Sequence, residues 1–185
     1  MKKILILNMP VLLLLLLASC QLERTSKPAP PNKTAKIILH SDLPIIFNAN
    51  MRDKETRRFF VLLNRYREQK GLRPLSMDKK LQQAAQWMSD DMAAKDYLSH
   101  EDSKGRDPFK RMAAFGYNYS TDKAENVAAG QNTAAEVLES WQSSKSHNRN
   151  MLDPQFTVIG IGFSYRKMSK YGWYWATSFG GRKSR

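Results

Sequence analysis

Cysteine is almost absent from this 185-residue chain: Cys20 is the only one. A domain folded after that position has no thiol for a disulfide, a cysteine nucleophile or a thiolate metal site. Packing alone must hold it together. Histidine is nearly as scarce, with His40, His100 and His147 making up the set. Several enzyme motifs are missing as well. No HExxH occurs, so "SHED" at 99–102 is not a metalloprotease helix, and there is no GxSxG elbow, no P-loop and no GxGxxG. Acidic side chains are outnumbered, 17 Asp and Glu against 30 Lys and Arg. No internal repeat is visible.

What is present suffices for one domain. Hydrophobic residues make up 42% and aromatic residues 10%, which excludes disorder throughout. Residues 1–19 have the parts of a signal peptide: Lys2 and Lys3, an apolar run broken by Asn8 and Pro10, then small residues. The uninterrupted run from Val11 to Leu17 is too short to span a bilayer. The ending "LASC" resembles a bacterial lipobox, in which the signal is cut before the Cys and Cys20 carries the lipid. The plainer alternative is a cleaved signal with an incidental Cys. Gln21 is not the Asp that resembles an inner-membrane retention signal, so in a two-membrane cell the outer membrane is mildly favoured.

Without Lys2 and Lys3, 28 basic residues face 17 acidic ones, a net charge of +11. Nucleic acid is a poor partner for an exported protein. Anionic lipid headgroups, envelope polysaccharide or acidic proteins suit this charge better, and a generally basic, soluble surface explains it equally well. Residues 166–185 carry six Lys and Arg and no Asp or Glu.

Residues 20–50 read as a lipidated Cys followed by a Pro-rich tether and an arm. "QLERTSKPAPPNKTAK" includes Pro28, Pro30 and Pro31 and suits an extended spacer. "IILHSDLPIIF", broken by Pro44, reads as a packed extended arm. The domain is expected over 51–185. Phe59, Leu62, Leu63 and Tyr66 recur at helical spacing, with Gly71 and Pro74 as stops. A second helix runs from Asp78 to about Tyr97, with Leu81, Ala85, Met88 and Met92 on its apolar face and Ala84 and Trp87 beside it. Asp107-Pro108 opens a short helix ending at Gly116.

Thr133 and Glu136 have capping-box spacing before a helix that bears Val137, Leu138 and Trp141. "SSKSHNRNML" follows as a polar loop. "FTVIGIGFSY" and "YGWYWATSF" read as an antiparallel hairpin, and Gly160 and Gly162 leave one face of its first strand bare for a close neighbour. Helices first and strands late define an α+β fold with helices covering an antiparallel sheet.

His100 and His147 each follow an amphipathic helix, and Glu125 lies between them in a short loop or strand. Two His and a Glu can hold a divalent cation with open positions, or act as acid and base in a cleft. Spacing alone does not bring them together. His100 can equally serve the end of its helix. Glu125, Asn126 and His147 can equally fix turns through the backbone.

"NRYREQKGLRPLSMDKKLQQAAQWMSDDMAAKDYLSH", "FGY", "AENVAAG", "VLESWQSSKSHNRNMLDPQFTVIGIGF" and "YWATSFG" resemble, in order, the bacterial branch of the CAP superfamily. That family joins cysteine-rich secretory, antigen 5 and pathogenesis-related proteins and is also called the SCP domain. The resemblance covers roughly residues 57–180. It implies an α-β-α sandwich around a small antiparallel sheet, with a cleft lined by two His and acidic residues that in some members binds zinc or another divalent cation. His100 matches the first family His, Glu125 the Glu of "GEN" (here "AEN"), and His147 the second His. A second Glu, three residues after the Trp in many eukaryotic members, is replaced by Ser144. Water would have to complete a metal site. The disulfides of the eukaryotic members are missing.

The family does not by itself fix a function. Its members are linked to sterol or other lipid binding, partner binding, defence and, in rare cases, proteolysis. One expectation is a lipid-anchored envelope protein whose domain binds a lipid, glycan or protein. Tyr171, Trp173, Tyr174 and Trp175 offer an aromatic surface for this, unless Trp173 and Trp175 share a core-facing side. The other is a metal-dependent hydrolase. There His100 or His147 is the base, or the pair holds a metal that activates water, and Glu125 orients a His.

Overall fold

The computed structural model describes residues 44–119 and 121–181. The signal segment, Cys20, the Pro-rich tether, His40, and the basic Arg182, Lys183 and Arg185 lie outside the described residues.

Helix α1 runs from Pro44 to Gln69 and begins inside the segment read as an extended arm. Proline is accommodated as the first residue of a helix, where its missing N–H is not needed, so Pro44 opens this element instead of interrupting the chain. Phe59 and Leu63 are fully buried on its inner side. Gly71, at φ +73, ends the turn that follows. A two-residue strand, β1 (Ser76–Met77), leads into α2 (Lys79–Lys95). Asp78 caps α2 by accepting from the Lys80 and Leu81 N–H groups, and Asp96 closes it in the left-handed region.

Next come α3 (Pro108–Ala114), capped by Asp107, and strand β2 (Lys123–Ala129). Helix α4 (Ala134–Ser143) is capped by Thr133, and only Ser144 separates it from α5 (Lys145–Leu152). The polar stretch read as a loop is therefore the helix α5. Only Met151 of its eight residues is buried, which explains why its sequence shows no apolar stripe. Strands β3 (Val158–Tyr165) and β4 (Trp173–Gly180) form the expected hairpin.

The sheet has the order β1-β3-β4-β2. Its long strands are antiparallel, whereas β1 pairs with β3 in parallel. A two-residue strand has too little pattern to be read from sequence. Helix α2 lies against the face that carries Gly160 and Gly162. A Cβ at Gly160 would overlap the Leu81 backbone, and one at Gly162 the Ala85 backbone, so only glycine admits α2 this close. Beyond β1, the outer edge of β3 has no partner strand among the described residues. Gln82 covers it at Ile161 (Nε2 to O, 2.6 Å; N to Oε1, 3.0 Å), and Gln86 does the same at Phe163. Side-chain amides thus satisfy backbone groups that a bare edge would expose.

The opposite face holds the main core: Phe59 and Leu63 from α1, Val137 and Trp141 from α4, and Ile159, Ile161, Phe163, Trp175 and Phe179 from the sheet. Helix α3 lies on the α2 side, where Met112 joins Leu81, Ala84 and Val158. The α-β-α layering is thus present. Trp175 is fully buried and stacks on Phe163 at 4.1 Å, and Trp173 stacks on the same ring at 5.3 Å. The two tryptophans share the core side of β4 and form no external platform. Among the described residues, no helix is long and apolar enough to cross a membrane.

Candidate functional site

Strand β2 is an edge strand paired only with β4, and it carries Glu125 and Asn126 in adjacent positions opposite Ser178 and Thr177. Adjacent side chains on a strand leave on opposite faces. Glu125 accordingly reaches the α2–α3 side of the sheet, and Asn126 reaches α5.

On the first side, His100 sits in the loop between α2 and α3. Its Nδ1 lies 3.0 Å from Glu125 Oε1. The His100 side chain is 53% exposed, whereas that of Glu125 is 1% exposed. The other carboxylate oxygen accepts from Arg111 Nη2. Arg111 is fully buried on α3 and also donates from Nη1 to the His100 carbonyl at 3.2 Å, so one guanidinium holds both the carboxylate and the loop backbone. Asp102 lies 3.5 Å from Arg111 Nη1 and takes the Arg106 Nε at 2.8 Å. Burial works to raise the Asp102 pKa, yet it is lowered. Backbone N–H groups of Arg106 and Lys104 and the Arg106 side chain outweigh the burial. This side is therefore a network of two carboxylates and two guanidiniums with the exposed imidazole at its rim.

On the second side, His147 projects from α5. Asn126 Nδ2 donates to the His147 carbonyl at 3.1 Å, and Asn150 Nδ2 donates to Asn126 Oδ1 at 2.9 Å and to the Glu125 carbonyl at 3.3 Å. These amides bolt the helix to the strand. Arg67, buried on α1, holds the far end of α5 by donating to the carbonyls of Met151 (2.7 Å) and Asp153 (3.1 Å), where a cation also suits the helix dipole. The His147 ring faces Trp141 at 6.0 Å, and its Nδ1 lies 2.9 Å from Ser144 Oγ.

Burial first, and then the nearby His100, lower the His147 pKa. His147 is thus neutral at neutral pH, the form that can ligate a cation or accept a proton. Each ring has its Nδ1 engaged, and neither Nε2 has a hydrogen-bond partner among the described residues. Glu125 has both oxygens committed. No group of three or more His, Cys, Asp and Glu side chains among the described residues is placed to hold a metal ion. His100 has a carboxylate behind its ring, an arrangement that commonly orients metal-binding histidines, and His147 has a serine hydroxyl there. Such a set suits an open site finished by water or ligand and does not suit a closed structural one.

Sequence reasoning named His100, Glu125 and His147 and missed the residues that fix them. Arg111 and Arg67 are buried cations in a very basic chain, so composition hides them. Ser144, where many eukaryotic relatives carry Glu, bonds to the His147 ring.

Residues 60–179 match the Cysteine-rich secretory protein family, or CAP, and the chain belongs to that family. The uncharacterized protein YkwD of Bacillus subtilis (strain 168) is 39% identical over 107 residues, which are 58% of this chain and 41% of YkwD. Two solved structures share the fold. An extracellular protein containing a SCP domain from Bacillus anthracis str. Ames has a TM-score of 0.67 at 23% identity, over 85% of this chain and 45% of that one. An outer surface protein from Borrelia burgdorferi has a TM-score of 0.63 at 19% identity, over 70% of this chain and 94% of that one. This chain thus spans less than half the length of YkwD and of the Bacillus anthracis protein.

Proposed function

We propose that the chain is an exported envelope protein, lipid-anchored through Cys20, whose CAP domain is a binding module with a two-histidine cleft. The observation that carries this reading is the pair of imidazoles flanking β2, each with Nδ1 engaged by a neighbour and Nε2 left over. Rings fixed in this way are preorganised for a ligand. Support for export comes from the N-terminal segment and from relatives described as extracellular or as an outer surface protein. A lipid, an envelope glycan or a protein would be the natural occupant. Zinc or another divalent cation, held by His100 and His147 with Glu125 orienting the former, would act as a Lewis acid toward an oxygen of that occupant.

The contact of His100 Nδ1 with the buried Glu125 carboxylate favours a second reading, a metal-dependent hydrolase. A carboxylate behind an imidazole is how a general base is oriented. Ser144 meets His147 through Nδ1, but no carboxylate stands behind that ring among the described residues, so a covalent serine mechanism has less support.

Zinc titration by calorimetry, on the protein and on its His100→Ala/His147→Ala variant, tests the cleft. Saturable binding of one ion that disappears in the variant supports it. Absence of binding to the folded wild type removes the metal from the proposal. Peptidase and esterase assays with zinc separate the two readings, since a hydrolase loses a definite turnover with either single substitution.

A further inference from the structure

The connection between β3 and β4, Arg166 to Gly172, plays no part in the histidine site. It forms a tightly bonded turn: Arg166 N donates to Gly172 O at 2.8 Å, Ser169 N to Arg166 O at 3.1 Å, and Gly172 N to Ser169 Oγ at 3.2 Å. It is also tied to the end of α2. Asp96 Oδ1 accepts from Lys170 N at 2.7 Å and from Tyr174 Oη at 2.6 Å, and Arg166 Nη1 donates to the Ala94 carbonyl.

This fixed turn holds Met168 out into solvent, 88% exposed and the most exposed large hydrophobic side chain among the described residues. A single exposed apolar residue means little by itself. Its surroundings give it meaning. Arg166, Lys167 and Lys170 are exposed on either side of it, and no Asp or Glu occurs from residue 155 to residue 185. At the base of the turn, Tyr165 and Trp173 pack at a tilt with centroids 4.1 Å apart, and Tyr171 is partly exposed beneath Lys170. Arg166, Lys167 and Lys170 of the basic excess seen in the sequence over 166–185 crown this tip.

We infer that this tip is a membrane-docking finger that places Met168 among the headgroups of an anionic lipid surface, with Lys167 and Lys170 on the phosphates and Arg166 turned back to the end of α2. Basic residues at such a surface contribute about 1 kcal/mol each, and aromatic rings with a polar edge suit the same depth. An acidic polysaccharide would satisfy the cations but offers Met168 no apolar phase. Because the turn is already ordered, docking costs little conformational entropy. The inference stands apart from the histidine site and does not require a lipid on Cys20.

The test places an environment-sensitive nitrobenzoxadiazole label at position 168 through Met168→Cys, in the full chain with Cys20→Ser so that the label has one target. A second chain carries the label through Val61→Cys, at an exposed site on α1. Both are mixed with phosphatidylglycerol vesicles and with phosphatidylcholine vesicles. The expected result is a blue shift and quenching by brominated lipid at position 168 only, on the anionic vesicles. Lys167→Glu/Lys170→Glu should weaken the vesicle partition read at position 168 about thirtyfold or more, as should high salt. A label at 168 that keeps its aqueous emission on anionic vesicles overturns the inference. So does a shift of equal size at position 61. A shift produced by polyglutamate and not by vesicles would also overturn it and would assign the tip to an acidic polymer.

Discussion

Glu125 and Asn126, neighbours in one edge strand, hold the two histidine-bearing elements from opposite faces of the sheet. Glu125 takes the ring of His100 on the α3 side, and Asn126 takes the backbone of His147 on the α5 side. The alternation of a β-strand turns two adjacent residues into two separate fixings. The site therefore depends on the placement of β2 more than on the local sequence around either histidine.

The buried pair of Glu125 and Arg111 should respond to removal of one partner much more than to removal of both. Arg111→Met alone strips the buried Glu125 carboxylate of its guanidinium and should cost about 3–5 kcal/mol, whereas Glu125→Gln should cost less because Asp102 still lies 3.5 Å from Arg111 Nη1. The double variant should recover part of that loss. Urea unfolding of the four proteins gives the coupling directly.

The lowered His147 pKa sets a pH dependence. Well above pH 6.5, the ordinary histidine value, the ring is neutral in both folded and unfolded chains and contributes nothing. As the pH falls below 6.5 the unfolded chain takes the proton first, so this group's effect is a loss of stability down through the lowered native pKa. NMR titration should place the His147 midpoint below 6.5, and His100→Ala should move it upward by removing the neighbouring charge.

Ser144 begins α5 without making a side-chain cap, so Ser144→Ala should change stability by no more than about 0.5 kcal/mol. The same change frees the His147 ring. Zinc affinity, where calorimetry detects it, should then fall about tenfold or more.

Gly162→Ala tests the close approach of α2. A methyl group there meets the Ala85 backbone, which belongs to a helix and cannot move alone. A loss of about 3 kcal/mol is expected, measured as a lower urea midpoint with an unchanged slope.

Much of this was legible in the sequence where a local rule acts alone. The apolar face of α2, the Asp107-Pro108 helix start and the bare face of β3 follow from periodicity, capping and the lack of a Cβ. The resemblance to CAP domains named His100, Glu125 and His147 as a set, which spacing could not. What stayed hidden depends on tertiary contacts. Helix α5 exists because Asn126, Asn150 and Arg67 bind it, with almost no apolar face of its own. Gln82 and Gln86 look like ordinary helix-surface residues until β3 is seen beside them. Arg111 looks like one more cation in a basic chain.

The most direct measurement is a two-dimensional ¹H–¹⁵N NMR experiment on the histidine side chains, recorded with and without added zinc. The expected result is an N–H on His100 Nδ1, facing Glu125, and a simultaneous shift of the Nε2 signals of His100 and His147 as one equivalent of zinc is added. A His100 protonated on Nε2, with neither ring or only one responding to zinc, would contradict a shared two-histidine cleft.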